Sequence, residues 1–158
     1  MTLPIHFGRT TIMIRRLQKV DVDRVMDLWL DTNLKAHDFI PAVYWRSNFG
    51  PVKEMLPRAE VYVYEDAGGI QGFVGLSGEY IEGIFVADET QSQGIGKRLL
   101  DHMKAIKDTL RLNVYQKNTR AIRFYQREGF VIQHEGSDES TGEKEYTMLW
   151  RQAAMRRC

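Results

Sequence analysis

Apolar residues recur along the chain with two periods, and their order predicts where helices and strands lie. Strand-like alternation begins over Ile12 to Leu17. Near-helical spacing over Val20 to Leu30 then predicts a first helix, with Asp21 as its cap. Prolines and a glycine interrupt residues 37–57, so we expect a short, broken second helix there.

The rest of the chain alternates the two patterns more regularly. The pattern predicts three strands over residues 61–65, 70–76 and 80–87, followed by a helix over 95–106 and a strand over 110–115. It then predicts a second amphipathic helix over residues 118–128 and a closing pair of strands over 130–134 and 145–150. The first two runs are joined by the turn 66–69, which favours an antiparallel meander. The order predicts one α/β (α+β) domain whose mixed, mostly antiparallel sheet is flanked by helices.

Length and composition agree with a single folded unit. The chain has 158 residues, of which 43% are apolar. A chain of this size buries roughly two thirds of its unfolded surface in one core. We expect the domain to span residues 12–150, with an extension at residues 1–11, a tail at residues 151–158 and a polar, mobile loop at residues 137–144.

Charge and cysteine content exclude several classes of function. Lys and Arg number 22 against 21 acidic residues, so the overall field favours neither nucleic acid nor an anionic membrane. Cys158 is the only cysteine, which leaves no disulfide framework, no thiolate metal site and no embedded cysteine nucleophile. No apolar run approaches the ~20 residues of a membrane span. We therefore expect a cytoplasmic protein, monomeric or homodimeric, without a bound metal.

The segment 84–97 carries the most informative pattern, because it predicts a strand, a tight loop and a helix start. Gly94 and Gly96 let the backbone approach a ligand, and the first-turn amides of the helix lack partners inside it. Such a terminus suits a pyrophosphate, although two glycines can also simply shape a connection. A dinucleotide fingerprint needs a third glycine, and a P-loop needs Ser or Thr where Arg98 stands.

Two motifs together resemble the GNAT superfamily of N-acetyltransferases. The first is Gln91-x-x-Gly94-x-Gly96 after an Ile84-x-Val86 strand, and the second is N-x-x-A-I-x-F-Y-x-x-x-G-F over residues 118–130. The stretch from Trp29 to Trp45 is similar to small bacterial members of that superfamily. The resemblance implies splayed central strands that form an acyl-CoA cleft, with acetyl-CoA as co-substrate and an amine of a protein or small molecule as acceptor.

The resemblance also implies residues for acetyl-CoA. Backbone amides from Gln93 to Lys97 would hold the pyrophosphate, and the backbone of Phe85 and Val86 would pair with pantetheine as an added strand does. The implied cofactor-binding set is Phe85, Val86, Gln91, Gln93, Gly94, Ile95, Gly96, Lys97, Asn118 and Tyr125. Lys97 and Gln91 can equally be solvated surface residues, and Asn118 is by default the cap of its helix.

Direct transfer needs a base and an acid. Glu82, near the start of the thioester strand, is the implied base, with Glu79 as the fallback and a solvent-facing carboxylate as the alternative for either. Tyr125 is the implied proton donor to the leaving thiolate, the alternative being a core position. A backbone amide near Val86 would stabilise the oxyanion.

The acceptor wall is the least patterned part of the chain. His37, Tyr44, Trp45 and Glu79 are the candidate substrate-binding residues, although local packing with an exposed His37 explains the aromatic stretch as well. The acidic residues of the 137–144 loop could attract a cationic amine or simply be solvated. A CoA-binding module without transfer activity is the competing function, since it would need neither Glu82 nor Tyr125.

Overall fold

The computed structural model describes residues 11–91 and 93–153, so residues 1–10 of the expected extension and residues 154–158 of the expected tail lie outside the described residues. The described elements are, in chain order, β1 Met13–Arg16, α1 Val22–Ala36, α2 Ala42–Met55, β2 Glu60–Asp66, β3 Gly69–Ser77, β4 Tyr80–Val86, α3 Ile95–Ile106, β5 Thr109–Tyr115, α4 Thr119–Arg127, β6 Val131–Ser137 and β7 Lys144–Arg151. Short 3-10 turns precede α1, β2 and α3. The predicted order of strands and helices is thus confirmed.

The strands form one seven-stranded sheet in the order β1-β2-β3-β4-β5-β7-β6. Every neighbouring pair is antiparallel except β4 and β5. A parallel pair needs a crossover connection, and α3 supplies it between these two strands. The predicted mixed, mostly antiparallel sheet is therefore confirmed, and its single parallel junction lies in the middle of the sheet.

Two apolar clusters pack on opposite faces of the sheet. Helices α1 and α2 cover one face, with Val25, Met26 and Trp45 buried against residues of β2 and β3. Helices α3 and α4 cover the other face, where Leu99 and Leu100 are fully buried. Side chains of β2 and β3 alternate between the two clusters, whereas β6 is exposed along its whole length.

The expected broken helix is wrong, because α2 runs unbroken for 14 residues and contains Pro51. Proline lacks only its own N–H, so its position leaves a single carbonyl, that of Ser47, without the usual partner. Trp45 is buried and packs edge-on against Trp29 of α1 at 5.9 Å. This packing offsets the cost of an interior proline.

The first helix is longer than expected, and its start differs. It continues beyond Leu30 to Ala36, because Thr32 and Asn33 bond back to carbonyls of the preceding turn instead of ending it. Asp21 does not cap the helix with its side chain. Its carboxylate accepts the Gln18 N–H at 2.7 Å and pairs with Arg15 at 2.7 Å, and these contacts lower its pKa.

Within the described part of the chain, no helix has the length and apolarity needed to cross a membrane. The described residues also contain no group of three or more His, Cys, Asp or Glu side chains arranged to hold a metal ion.

Candidate active site

A cleft of about 800 Å³ opens between β4 and β5, where the two strands separate. They pair only at Tyr80 with Arg111 and at Ile81 with Leu112. A β-bulge lies at the same point, because Gly75 pairs with Gly83 and Leu76 with Ile81, which leaves Glu82 without a partner on β3. A bulge bends its strand. From residue 82 to 86 this edge of β4 therefore has no strand partner, and Ile84, Phe85 and Val86 line the cleft.

The start of α3 forms one end of this cleft. Gly94 is the N-cap residue and has φ 78° and ψ 13°, the left-handed conformation that glycine adopts without strain. No side chain caps the helix, so the first-turn amides have no partner within it. Gln93 and Lys97 are exposed, Ile95 is buried beneath the turn, and Gly96 lines the cleft. An anion placed here would meet several free N–H groups.

Gln91 is not a solvated loop residue. Its Nε2 donates to the Val86 carbonyl at 3.3 Å, and its Oε1 accepts from Arg120 at 2.9 Å. The side chain thus ties the loop before α3 to both β4 and the first turn of α4. A direct phosphate contact from Gln91 would have to replace or share these bonds.

The lining of the cleft carries a net positive charge. Its basic residues are Lys35, Lys97, Lys117, Arg120 and Arg127, and its acidic residues are Asp88 and Glu128. Lys97 pairs with Glu128 at 3.0 Å and with Asp101 at 3.5 Å, which raises its pKa. Lys97 therefore contributes to the field of the cleft while it holds α3 against the end of α4.

Tyr125 lines the cleft from α4 and is only 7% exposed. Its ring packs edge-on against Phe124 and Phe130, and its hydroxyl makes no hydrogen bond to any described residue. Burial raises the pKa of Tyr125 well above its usual range, with a smaller contribution from the nearby Tyr80. The hydroxyl is thus a protonated donor held in a largely apolar surrounding.

Aromatic side chains form the wall of the cleft beside α1 and α2. The His37 ring stacks on Trp45 at 5.4 Å and meets Tyr115 and Phe39 edge-on. Burial lowers the pKa of His37 to about 4. Tyr44 packs on Trp45 from the other side at 4.9 Å, and neither Tyr44 nor Trp45 lines the cleft itself. His37 is the one of these candidates that reaches the cleft.

His37 also joins α1 to α4 through hydrogen bonds. Its Nδ1 lies 3.0 Å from Oδ1 of Asn33, and its Nε2 lies 3.2 Å from Nδ2 of Asn118. Asn118 caps α4, because its Oδ1 accepts the Ala121 N–H at 3.2 Å. The expectation that Asn118 caps its helix is confirmed.

The loop between β6 and β7 is anchored beside this wall. The Tyr115 hydroxyl donates to Asp138 at 2.6 Å, and Lys117 pairs with Glu143 at 3.2 Å. The Gly142 N–H donates to the Asp138 carbonyl, and the Asp138 N–H donates to the Glu143 carbonyl, which closes the loop. The carboxylates of this loop therefore stand at the acceptor side of the sheet.

The two candidate bases occupy different places on β4. Glu82 is the bulged residue, is exposed, accepts from the Ser77 hydroxyl at 3.0 Å, and lies two positions from the cleft residue Ile84. Glu79 precedes β4 and pairs with Arg111 at 3.6 Å. At ~3.3 Å per strand residue, Glu79 lies about 16 Å from Ile84 and Glu82 about 7 Å.

Three further residues belong to the site and are absent from the sequence-based set. Tyr80 lies within electrostatic reach of Tyr125, Glu82, Glu145 and Asp138, and burial, more than these neighbours, raises its pKa. Two others are Asn33, which orients His37, and Arg120, which holds Gln91. Arg120 stands inside the 118–130 motif and could have been found there. Tyr80 and Asn33 carry no sequence signal, because their neighbours are distant in the chain.

The sheet, which splays at its single parallel junction beside the start of α3, has the fold of acyl-CoA N-acyltransferases. The chain belongs to the GNAT acetyltransferases, because a family model described as an acetyltransferase (GNAT) domain matches residues 57–132 and a peptidyl-lysine N-acetyltransferase is 36% identical over 87% of the chain. The predicted family and fold class are confirmed, and the chain is an acetyltransferase of this type.

Three relatives show how closely the chain follows known proteins. Peptidyl-lysine N-acetyltransferase YiaC of Escherichia coli is 36% identical over 140 residues, which cover 87% of this chain and 96% of YiaC. The solution structure of apo-form YjaB from Escherichia coli superposes with a TM-score of 0.80 at 25% identity, covering 90% of this chain and 99% of that one. The PaiA N-acetyltransferase of Thermoplasma acidophilum, solved in complex with coenzyme A, superposes with a TM-score of 0.74 at 17% identity, covering 89% and 99%.

Proposed function

We propose that the chain transfers the acetyl group of acetyl-CoA directly to the Nζ atom of a lysine in a protein substrate. YiaC and two YjaB proteins, which this chain matches over 87% of its length, are named peptidyl-lysine N-acetyltransferases. The observation that carries the proposal is the separation of charge at the splayed strands. Basic side chains line the cleft that would take the anionic CoA, and carboxylates stand on the acceptor side.

Acetyl-CoA would lie in the cleft between β4 and β5. The free amides from Gln93 through Ile95 to Lys97 would bind the pyrophosphate, because Gly94 and Gly96 leave the approach open. Pantetheine would pair with the unpaired edge of β4 at Phe85 and Val86. Asn118 and Tyr125 would contact the thioester end from α4, and Gln91 would hold the loop in place. The fold is that of PaiA, which has been solved with coenzyme A.

The acceptor lysine must lose a proton before it attacks. A lysine amine with a pKa of ~10.4 is about 3 pH units from its neutral form at pH 7, a cost of about 4 to 5 kcal/mol. Glu82 would take this proton, directly or through a water, because it stands at the bulge where β4 opens towards the cleft. We favour Glu82 over Glu79, because Glu79 precedes β4 at the end away from the cleft and pairs with Arg111.

Transfer would then proceed in two steps on the thioester carbon. The neutral Nζ forms a bond to the carbonyl carbon, and a backbone amide near Val86 stabilises the resulting oxyanion. Collapse breaks the carbon–sulfur bond, and the Tyr125 hydroxyl gives its proton to the departing CoA thiolate. The nitrogen of the new amide gives up its remaining excess proton, which restores the Tyr125 hydroxyl directly or through water. Burial keeps the Tyr125 hydroxyl protonated in the resting site. Because the raised pKa disfavours a free phenolate, this proton would leave in concert with the return of the one that the amide nitrogen releases.

A panel of amines tests the acceptor class. We would incubate the protein with acetyl-CoA and follow free thiol with an N-terminally blocked peptide that contains one lysine. The same peptide with arginine at that position and spermidine serve as comparisons. The proposal predicts lysine-dependent thiol release and acetylated peptide. Activity with spermidine alone would overturn the acceptor class, and CoA binding without any transfer would favour the binding-module alternative.

A further inference from the structure

Two asparagines fix the protonation state of His37. The Asn33 amide is oriented by its bond from Nδ2 to the Trp29 carbonyl at 2.9 Å, so its Oδ1 faces His37 and requires a proton on Nδ1. The Asn118 amide is oriented by its capping bond, so its Nδ2–H faces His37 and requires a lone pair on Nε2. Only the neutral ring with its hydrogen on Nδ1 satisfies both neighbours.

The surroundings of the ring agree with this state. Trp45, Phe39 and Tyr115 enclose it, and no charged side chain among the described residues contributes to the lowering of its pKa, which burial alone explains. Both ring nitrogens are engaged within the protein. His37 is therefore unavailable as a direct ligand for an acceptor ammonium or as a proton carrier.

The hydrogen bonds from Asn33 through His37 to Asn118 end at α4, the helix that carries Tyr125. Asn118, Ile122 and Tyr125 are spaced at i, i+4 and i+7, so they lie on one face of α4. The far end of α4 is held where Lys97 and Lys104 contact Glu128. The near end of α4, a helix of only nine residues, is held by Asn118 and by the Arg120 contact to Gln91.

We propose that His37 is a positioning residue: by accepting from Asn118 it fixes the first turn of α4 and thereby the place of the Tyr125 hydroxyl in the cleft. His37 stacks on the acceptor wall and bonds to the helix of the cofactor side, so it joins the two halves of the site. The catalytic consequence rests on the function proposed above for Tyr125, whereas the hydrogen-bond geometry around His37 is independent of that function.

Two substitutions of similar polarity separate this role from others. His37→Gln keeps an acceptor near the Nε2 position, and His37→Asn keeps a donor near Nδ1 but leaves Asn118 unpaired. Because a misplaced group near the reacting atoms can cost up to about 10²-fold in rate, we expect kcat to fall roughly 10-fold or more in His37→Asn. In His37→Gln we expect it to fall by less than about threefold. The KM for the lysine peptide should change little in either variant.

Other roles give other patterns. A rise in the peptide KM of both variants at unchanged kcat would make His37 an acceptor ligand and overturn the proposal. An equal loss of kcat in both variants would also overturn it, because the bond to Asn118 would then be irrelevant.

Ring nitrogen chemical shifts provide a readout that does not depend on activity. In the wild-type protein at pH 7 we expect the tautomer with hydrogen on Nδ1. Asn118→Asp retains the capping oxygen for Ala121 but removes the donor to His37, so the ring should gain a proton on Nε2 while the helix remains capped. The opposite wild-type tautomer would overturn the positioning role even if the protein is active. An inactive wild-type protein with the expected tautomer would instead contradict the proposed function.

Discussion

Tyr125 places a single unpaired hydroxyl in an otherwise apolar part of the cleft. Tyr125→Phe preserves the ring contacts with Phe124 and Phe130. If the hydroxyl protonates the leaving thiolate, kcat should fall by about 10²-fold while CoA affinity is retained. Steady-state kinetics with two acyl donors whose thiols differ in pKa would measure this, and the loss should shrink for the more acidic thiol.

Tyr64→Phe provides a matched control for that substitution. Tyr64 is buried at 4% exposure in the apolar cluster beneath α3, and its hydroxyl accepts only a long contact from Arg98 at 3.5 Å. Its loss should leave kcat within about twofold. A Tyr125→Phe variant as active as Tyr64→Phe with both donors would assign Tyr125 to packing alone.

Glu82 occupies the bulge of β4, where it has no backbone partner on β3 and its carboxylate accepts from the Ser77 hydroxyl. Glu82→Gln should lower kcat near neutral pH with little change in CoA affinity. The deficit should shrink as the pH approaches ~10, because more of the lysine amine is then already neutral. A pH–rate profile measures this, with Ser77→Ala as the control for the hydroxyl contact. An equal deficit at every pH would indicate a structural role.

His37 links the pH dependence of stability to the same site. Its pKa is about 4 in the folded protein, against an ordinary 6.5, so the unfolded chain binds more protons between these values. The free energy of unfolding should therefore fall as the pH drops from about 6.5 towards 4, and be unaffected by His37 above that range. Urea unfolding across this range would show a steeper loss for the wild type than for His37→Gln. Parallel curves would contradict the lowered pKa.

At the scale of elements, the loop before α3 is the part of the cleft most easily altered without disturbing the sheet. Gly94 has a left-handed φ, and a Cβ there would meet no atom within 4 Å. Asparagine tolerates this conformation, so Gly94→Asn should fold and yet place a side chain where the pyrophosphate would bind. Calorimetry should show CoA affinity reduced by about 10-fold or more, a loss of ~1.4 kcal/mol.

Gly78→Asn is the matched control for this element. Gly78 also has a positive φ and open space around it, but it lies in the β3–β4 turn at the far end of β4. Its substitution should leave CoA affinity unchanged. Equal affinities for the Gly94 and Gly78 variants would place the pyrophosphate elsewhere.

Periodicity was sufficient to predict most elements, and its failures have local causes. The strands and the helices α3 and α4 follow from alternation and from the i, i+4 stripe. The proline at position 51 led to the wrong prediction of a broken second helix, because the tertiary packing of Trp45 outweighs the low helix propensity of one proline. The end of α1 was missed because Thr32 and Asn33 usually end helices, and here they bond to the preceding turn.

At the scale of the whole molecule, the site depends on contacts between segments far apart in the sequence. Most of the cleft lining falls within residues 84–130, where the two local motifs lie, and the rest comes from the end of α1. The acceptor side combines the end of α1, the bulge of β4, the end of β5 and the β6–β7 loop. The contact of Asn33 with His37 arises only through that assembly. Local motifs therefore predict residues for the cofactor half of the candidate site, whereas most contacts of the acceptor half depend on the tertiary fold.

Direct passage of the acetyl group from acetyl-CoA in the β4–β5 cleft to a lysine Nζ is open to a single-turnover experiment. The protein is mixed in excess over acetyl-labelled CoA with a lysine peptide present, and the label on protein and peptide is measured over time. We expect peptide label to appear in step with free CoA, with no labelled protein preceding it. Label that accumulates first on the protein and then moves to the peptide would contradict direct transfer.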